Sequence, residues 1–283
     1  MGLVTLKTIL DAANEGGYAV PAFDTLDYVS AEAIIRAAEN KNRPVIIMVP
    51  EAGLPLIDSY SFFDFLVYRT KQAKVSIALE LDHGKTFEVI MQSIHHGFSS
   101  VMIDGSDLPF EQNIEITKKI VEVAHAAGVS VEAEIGHVGG GEGNMDGSEV
   151  DTSMYTNPED AKVFADATGV DAIAIAFGTV HGVFKGTPKL DFDRVKKVKE
   201  VVNVPLVMHG GSGVNGEDFV KAVESGINKI NLFTEISMAA VAQSVGYAQR
   251  KENKLHFAEM VLIAKMTVEK MAGDYITLFS LNK

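Results

Sequence analysis

Eight times between residues 18 and 250, a short apolar run rich in branched side chains is followed by a segment of helical periodicity, with glycine, proline or asparagine between them. Such alternation forces parallel strands, because each helix must carry the chain back to the end where the previous strand began. The spacing predicts strands at 18–23, 44–49, 76–82, 99–104, 130–134, 171–177, 205–208 and 229–232. Helices are expected at 27–41, 58–74, 86–96, 109–127, 158–168, 191–202, 215–225 and 234–250. Eight units point to an α/β chain folded as one (β/α)8 TIM barrel, with a doubly wound open sheet as the competing architecture. The expected domain is the whole of 1–283, with the barrel over about 18–250 and a helical C-terminal extension over about 251–283. A long stretch at 136–157 delays the fifth helix, and loops beyond about 12 residues inside a compact domain are usually functional or mobile.

Closing these strands into a barrel brings their carboxyl ends into one mouth, where barrel enzymes keep their active sites. His83, His181 and His209 each end a strand, and three imidazoles with an open position describe a catalytic zinc site. Cobalt, iron and manganese share the ligand type. The rival reading makes each a satisfied polar residue, but three at equivalent strand ends favour the metal. The chain has no cysteine, so histidine and carboxylate must hold any ion. The other five histidines, His95, His96, His125, His137 and His256, are assigned no role.

Asp82 directly precedes His83, and strand alternation sends the two to opposite faces unless the strand breaks, as Gly84 would allow. Asp82 is read either as an acid/base group beside the ion or as the cap of the helix near residue 86. Asp104 and Glu134 add strand-end carboxylates, read as a second cation position or as partners of a lysine; alternation places Glu132 on the face of Glu134. The run 139–144 is glycine-rich around one carboxylate, Glu142, and is either a lid delivering an acid or base or a surface loop. After strands seven and eight come His209-Gly-Gly-Ser-Gly213 and Asn231-Leu-Phe-Thr234, where amides and the Ser212 and Thr234 hydroxyls suit a phosphate. An esterase reading of that glycine run lacks the G-x-S-x-G elbow it would need.

The formal charge of -13, with 25 scattered Lys and Arg residues, argues against a nucleic-acid partner. No run approaches the roughly 18 apolar residues of a membrane span, and no secretory pattern opens the chain, so the expectation is no membrane and a cytoplasmic location.

Taken together, Pro21-Ala-Phe23, Leu81-Asp-His83, Val101-Met-Ile-Asp-Gly-Ser106, Val131-Glu-Ala-Glu-Ile-Gly136, Thr179-Val-His-Gly182, Pro205-Leu-Val-Met-His-Gly-Gly-Ser212 and Lys229-Ile-Asn-Leu-Phe-Thr234 resemble the class II, metal-dependent ketose-bisphosphate aldolases. The likeness is strongest to the shorter branch containing tagatose-bisphosphate aldolase. It implies catalytic Zn2+ on His83, His181 and His209, Asp82 as acid/base at the C4 oxygen, and Asp104 and Glu134 as a secondary cation site. It also implies that Gly182, Gly210, Gly211, Ser212, Asn231, Leu232, Phe233 and Thr234 hold dihydroxyacetone phosphate, often with Na+ or K+. Glu142 matches the family's mobile-loop glutamate that exchanges the C3 proton, and Asn231 would position the ene-diolate.

The expected reaction is reversible cleavage of a ketose 1,6-bisphosphate in a homodimer or homotetramer, for which the helices on either side of Arg250 would supply the interface. Several features depart from the pattern. Gly141 precedes Glu142 where fructose enzymes carry an acidic pair, Phe233 replaces a common aspartate, and 51–61 differs from the usual serine- and glycine-rich loop. No arginine follows Lys251, leaving Lys265 or another lysine for a distal phosphate and raising a ketose 1-phosphate as the alternative substrate. A zinc hydrolase acting on a sugar phosphate and a non-catalytic sugar-phosphate-binding subunit of an aldolase complex are the rival functions. The intact Asp82 and three histidines argue against the subunit.

Overall fold

The computed structural model describes residues 2–140, 149–184, 186, 189–281 and 283. A two-residue strand, β1 (Gly2–Leu3), precedes the eight barrel strands β2 (Val20–Asp24), β3 (Val45–Pro50), β4 (Ser76–Gly84), β5 (Ser100–Ile103), β6 (Ser130–Ile135), β7 (Ala172–Ile175), β8 (Leu206–Met208) and β9 (Ile227–Leu232). Every neighbouring pair is parallel, and β9 pairs back onto β2, so the sheet closes into a (β/α)8 barrel and the open-sheet alternative falls away. The returning helices are α2 (Tyr28–Lys41), α3 (Ser59–Lys71), α4 (Phe87–His96), α5 (Phe110–Ala126), α6 (Pro158–Thr168), α7 (Phe192–Val201), α8 (Gly216–Ser225) and α9 (Thr234–Arg250). Asp27, Thr86, Asn157, Asp191 and Asn215 start their helices by accepting amide hydrogen bonds from the first turn. Thr86, rather than Asp82, therefore caps α4.

Strand alternation sorts the side chains into two layers. Val45, Ile47 and Val49, like Ile77, Leu79 and Leu81, point outward and join the core beneath the helices. Ile46, Met48 and Ala78 point inward, where they meet Val20, Ala22, Ala172, Ala174 and Val207. A helix not anticipated from the repeat, α1 (Leu6–Gly16), lays Leu6, Ile9, Leu10 and Ala13 on this inner cluster and plugs the amino-terminal end. The Leu6 and Lys7 amides donate to Ser100 Oγ and Ser130 Oγ at 2.9 and 3.2 Å, anchoring α1 to the strand starts.

Above the apolar tier the interior becomes ionic. Glu80, Glu132 and Lys229 are wholly buried, and Lys229 Nζ lies 2.7 Å from Glu80 Oε2 and 2.7 Å from Glu132 Oε2. Burial alone would lower the lysine, but Glu132 and Glu80 outweigh it and raise its pKa. Burial also pushes Glu80 up to about 8, so Glu132, held at about 2 by Lys229 and His209 against the same burial, is the ionised partner. The C-terminal helix α10 (Phe257–Phe279) packs on α2 and α9, replacing the general helical expectation for 251–283 with one long element. Among the described residues no helix is long and apolar enough to cross a membrane.

Candidate active site

Regular alternation would have turned His83 away from Asp82, but His83 has φ +47°, and the β4–β5 register slips between Leu81 and Gly84. The left-handed residue breaks the strand, and both side chains reach the mouth. Gly84 is required there, since an added Cβ would lie 2.6 Å from the Met102 carbonyl.

Three imidazoles meet at this break. His83 Nε2 lies 3.1 Å from His181 Nε2 and 2.9 Å from His209 Nδ1, with 3.4 Å between the latter two. The opposite nitrogen of each ring faces an acceptor: His83 Nδ1 faces Asp104 Oδ2 at 2.8 Å, His209 Nε2 faces Glu132 Oε1 at 2.9 Å, and His181 Nδ1 faces the Val138 carbonyl at 3.2 Å. Those acceptors assign an N–H to each outer nitrogen and leave lone pairs on the three that converge. Burial lowers His209 to about 3 even beside Glu132, which keeps it neutral. Three imidazole nitrogens aimed at one point, each ring braced by an acceptor, fit a divalent cation.

His83, Asp104 and Glu134 form a second group of possible ligands around the same ring. Burial pushes Asp104 up, yet hydrogen bonds from His83, Lys85 and Ser106 outweigh it and hold the carboxyl well below the usual range. Glu134 goes the other way, to about 8, because burial is reinforced by the charge of Asp104. These residues and His181 line a cleft of about 290 Å³ with Lys85 and His137. His137 Nδ1 is 3.1 Å from Ser106 Oγ, so a histidine given no role from sequence belongs to the rim.

Across the mouth, buried Asp82 accepts from Asn231 Nδ2 at 3.3 Å, and its Oδ2 is 3.8 Å from His83 Nε2. Gly210 turns with φ +65°, and a Cβ there would collide with the Val180 carbonyl, so the chain after β8 runs directly over the chain after β7. Ser212 Oγ accepts from the Glu235 amide at 3.2 Å, joining the glycine turn to the first turn of α9, where Thr234 is buried. Gly182 is buried beside His181. The side chains of Leu232 and Phe233 line a separate apolar cavity against α9 and α10, which leaves only their backbone for the mouth. Glu142 lies outside the described residues.

The ionic tier beneath the histidines was the main omission. Glu80 stands two residues before Asp82, and Lys229 two before Asn231, so period-two counting places them on the same inward face. Glu132 proves to be both the lysine's partner and the brace of His209.

The model of the fructose-bisphosphate aldolase class-II family matches residues 4–282. Among solved structures, the YdjI aldolase from Escherichia coli K12 is 32% identical, covering 98% of this chain and 97% of its own, with a TM-score of 0.88. A fructose-bisphosphate aldolase (Fba) from Campylobacter jejuni shares the fold at 23% identity, covering 98% of this chain and 95% of its own, with a TM-score of 0.81. With the family matched along nearly its entire length, the chain belongs to the class II fructose-bisphosphate aldolases and is a metal-dependent aldolase, a carbon–carbon lyase acting on small sugar phosphates.

Proposed function

We propose that the chain is a zinc-dependent aldolase that reversibly cleaves a ketose 1,6-bisphosphate of the tagatose or fructose type into dihydroxyacetone phosphate and an aldehyde. The observation that carries this reading is the convergence of three imidazole nitrogens, 2.9 to 3.4 Å apart, beside a buried carboxylate at the open end of the barrel. His83, His181 and His209 would hold a divalent ion, whose chemistry there would be Lewis-acid polarisation of the ketose carbonyl. Asp82 takes the C4 hydroxyl proton as the C3–C4 bond breaks and returns it on condensation. Asn231, donating to Asp82, keeps that carboxylate turned toward the mouth.

The 1-phosphate is assigned to Gly182, Gly210, Gly211, Ser212 and Thr234, with the Leu232 and Phe233 backbone and the positive end of α9. Na+ or K+ is the proposed companion of that phosphate. Glu142 is assigned the exchange of the C3 proton. Holding the phosphate orients the reacting carbons, so losing it lowers turnover as well as affinity. A lysine Schiff base would need a neutral amine, whereas Lys229, the buried lysine among the described residues, is kept charged by Glu132 and Glu80.

One observation favours a ketose 1-phosphate as the second reading. Lys265 sits in an outer groove with Tyr28 and Glu32 rather than at the mouth. The cavity of about 760 Å³ that reaches Asp24 at the end of β2 takes its polar lining from Asp24, Thr25, Asp27, Ser30, Ser237 and Ser244, with no basic side chain among the described residues. A homodimer or homotetramer is proposed from exposed Met238, Val241 and Val245 on α9 and Phe257, Leu262 and Met266 on α10.

The deciding experiment assays chelated and zinc-reloaded protein against fructose and tagatose bisphosphates and their 1-phosphates. Chelation is expected to abolish triose phosphate formation and zinc to restore it, with no inorganic phosphate released. Covalent trapping of substrate by borohydride, or phosphate release without a triose, would overturn the assignment.

A further inference from the structure

We propose that the ammonium of Lys85 takes the place of a second cation beside the three-histidine centre, so that each chain holds one divalent ion rather than two. The inference rests on reading His83, His181 and His209 as the ligands of the first ion.

Its geometry begins in the backbone. The Asp104 amide donates to the Gly84 carbonyl at 2.9 Å, so the residue after the strand break, Lys85, leaves β4 directly alongside Asp104. The Lys85 amide donates to Glu51 Oε2 at 2.6 Å, which fixes where its side chain starts. From there Lys85 Nζ reaches Asp104 Oδ2 at 2.6 Å and Asp107 Oδ2 at 3.2 Å.

The pairing closes the second group of ligands. A carboxylate has about four lone-pair directions to offer. Asp104 Oδ2 already accepts from His83 Nδ1 at 2.8 Å and from Lys85, while Oδ1 accepts from the Ser106 amide at 3.1 Å and the Ser106 hydroxyl at 2.7 Å. The His83 N–H that points at Asp104 withholds that nitrogen from another ion for as long as Nε2 faces the first. Glu134 Oε1 meanwhile accepts from the Val138 amide at 2.9 Å. Of the three groups able to form a second site, two are committed to one another and to an internal cation. A divalent ion entering here would have to expel the ammonium and sit next to a like-charged neighbour.

The test is a count of bound zinc by elemental analysis, with calorimetric titration, on protein stripped by chelation, reloaded and gel-filtered. Lys85 is half-exposed, so Lys85→Ser and Lys85→Met are expected to fold, which near-UV circular dichroism will verify. The expected result is one zinc per wild-type chain, two per chain in either variant, and a return to one when Asp104→Asn is added to Lys85→Ser. Two ions in the wild type, or one in both Lys85 variants, would overturn the proposal. A wild-type chain that takes up none would overturn the three-histidine centre, and this proposal with it.

Discussion

His209 shows how one side chain depends on a chain of buried partners. Its Nε2 faces Glu132, which is ionised because Lys229 lies beside it, and Lys229 is in turn shared with Glu80. Glu132→Gln keeps the shape but removes the charge that orients the imidazole. Zinc affinity should fall by about 10- to 100-fold, measured by competition with a chromophoric chelator. Lys229→Met strands the Glu132 carboxylate beside Glu80 in the barrel interior and should cost about 3–5 kcal/mol, read from the urea midpoint. That the three histidines would meet was legible from their strand-end positions. The Glu80–Lys229–Glu132 tier was legible only in part: alternation put these residues on the inner face, but no single-strand pattern says which inward charges lie at the same height. The height follows from barrel stagger, a property of the closed sheet.

Among the elements, the strands and helices of the repeat were readable because punctuation and periodicity agree, and α6 and α9 begin and end where the pattern predicted. The first helix was not. Leu6, Ile9, Leu10 and Ala13 carry a clear helical period, yet α1 precedes the repeat, and nothing local says that its apolar face meets the barrel floor. Leu10→Ala should remove about 2–5 kcal/mol of stability while leaving the zinc content unchanged, checked by chemical denaturation together with metal analysis. The β4 bulge was foreseeable from Gly84, but the left-handed backbone at His83 itself was not, since residues other than glycine adopt it only in a few per cent of cases.

For the molecule as a whole, the sequence pattern conveyed barrel closure and the position of the mouth, because eight βα units leave few other ways to bury both faces of a parallel sheet. The outer surface is not fixed by that argument, and the contact proposed above between copies rests on exposed apolar side chains alone. Met238, Val241 and Val245 recur along one exposed side of α9. Val241→Glu should therefore shift the protein to a smaller species in light scattering coupled to size exclusion; an unchanged mass would remove α9 from the interface.

With α1 packed across the amino-terminal end, the described residues leave the mouth as the way into the barrel. Sugar phosphate, metal ion and chelator would then share that route, and bound substrate would shelter the ion beneath it. On the function proposed above, turnover and metal exchange become competing traffic, and saturating substrate is expected to slow the loss of the ion to a chelator.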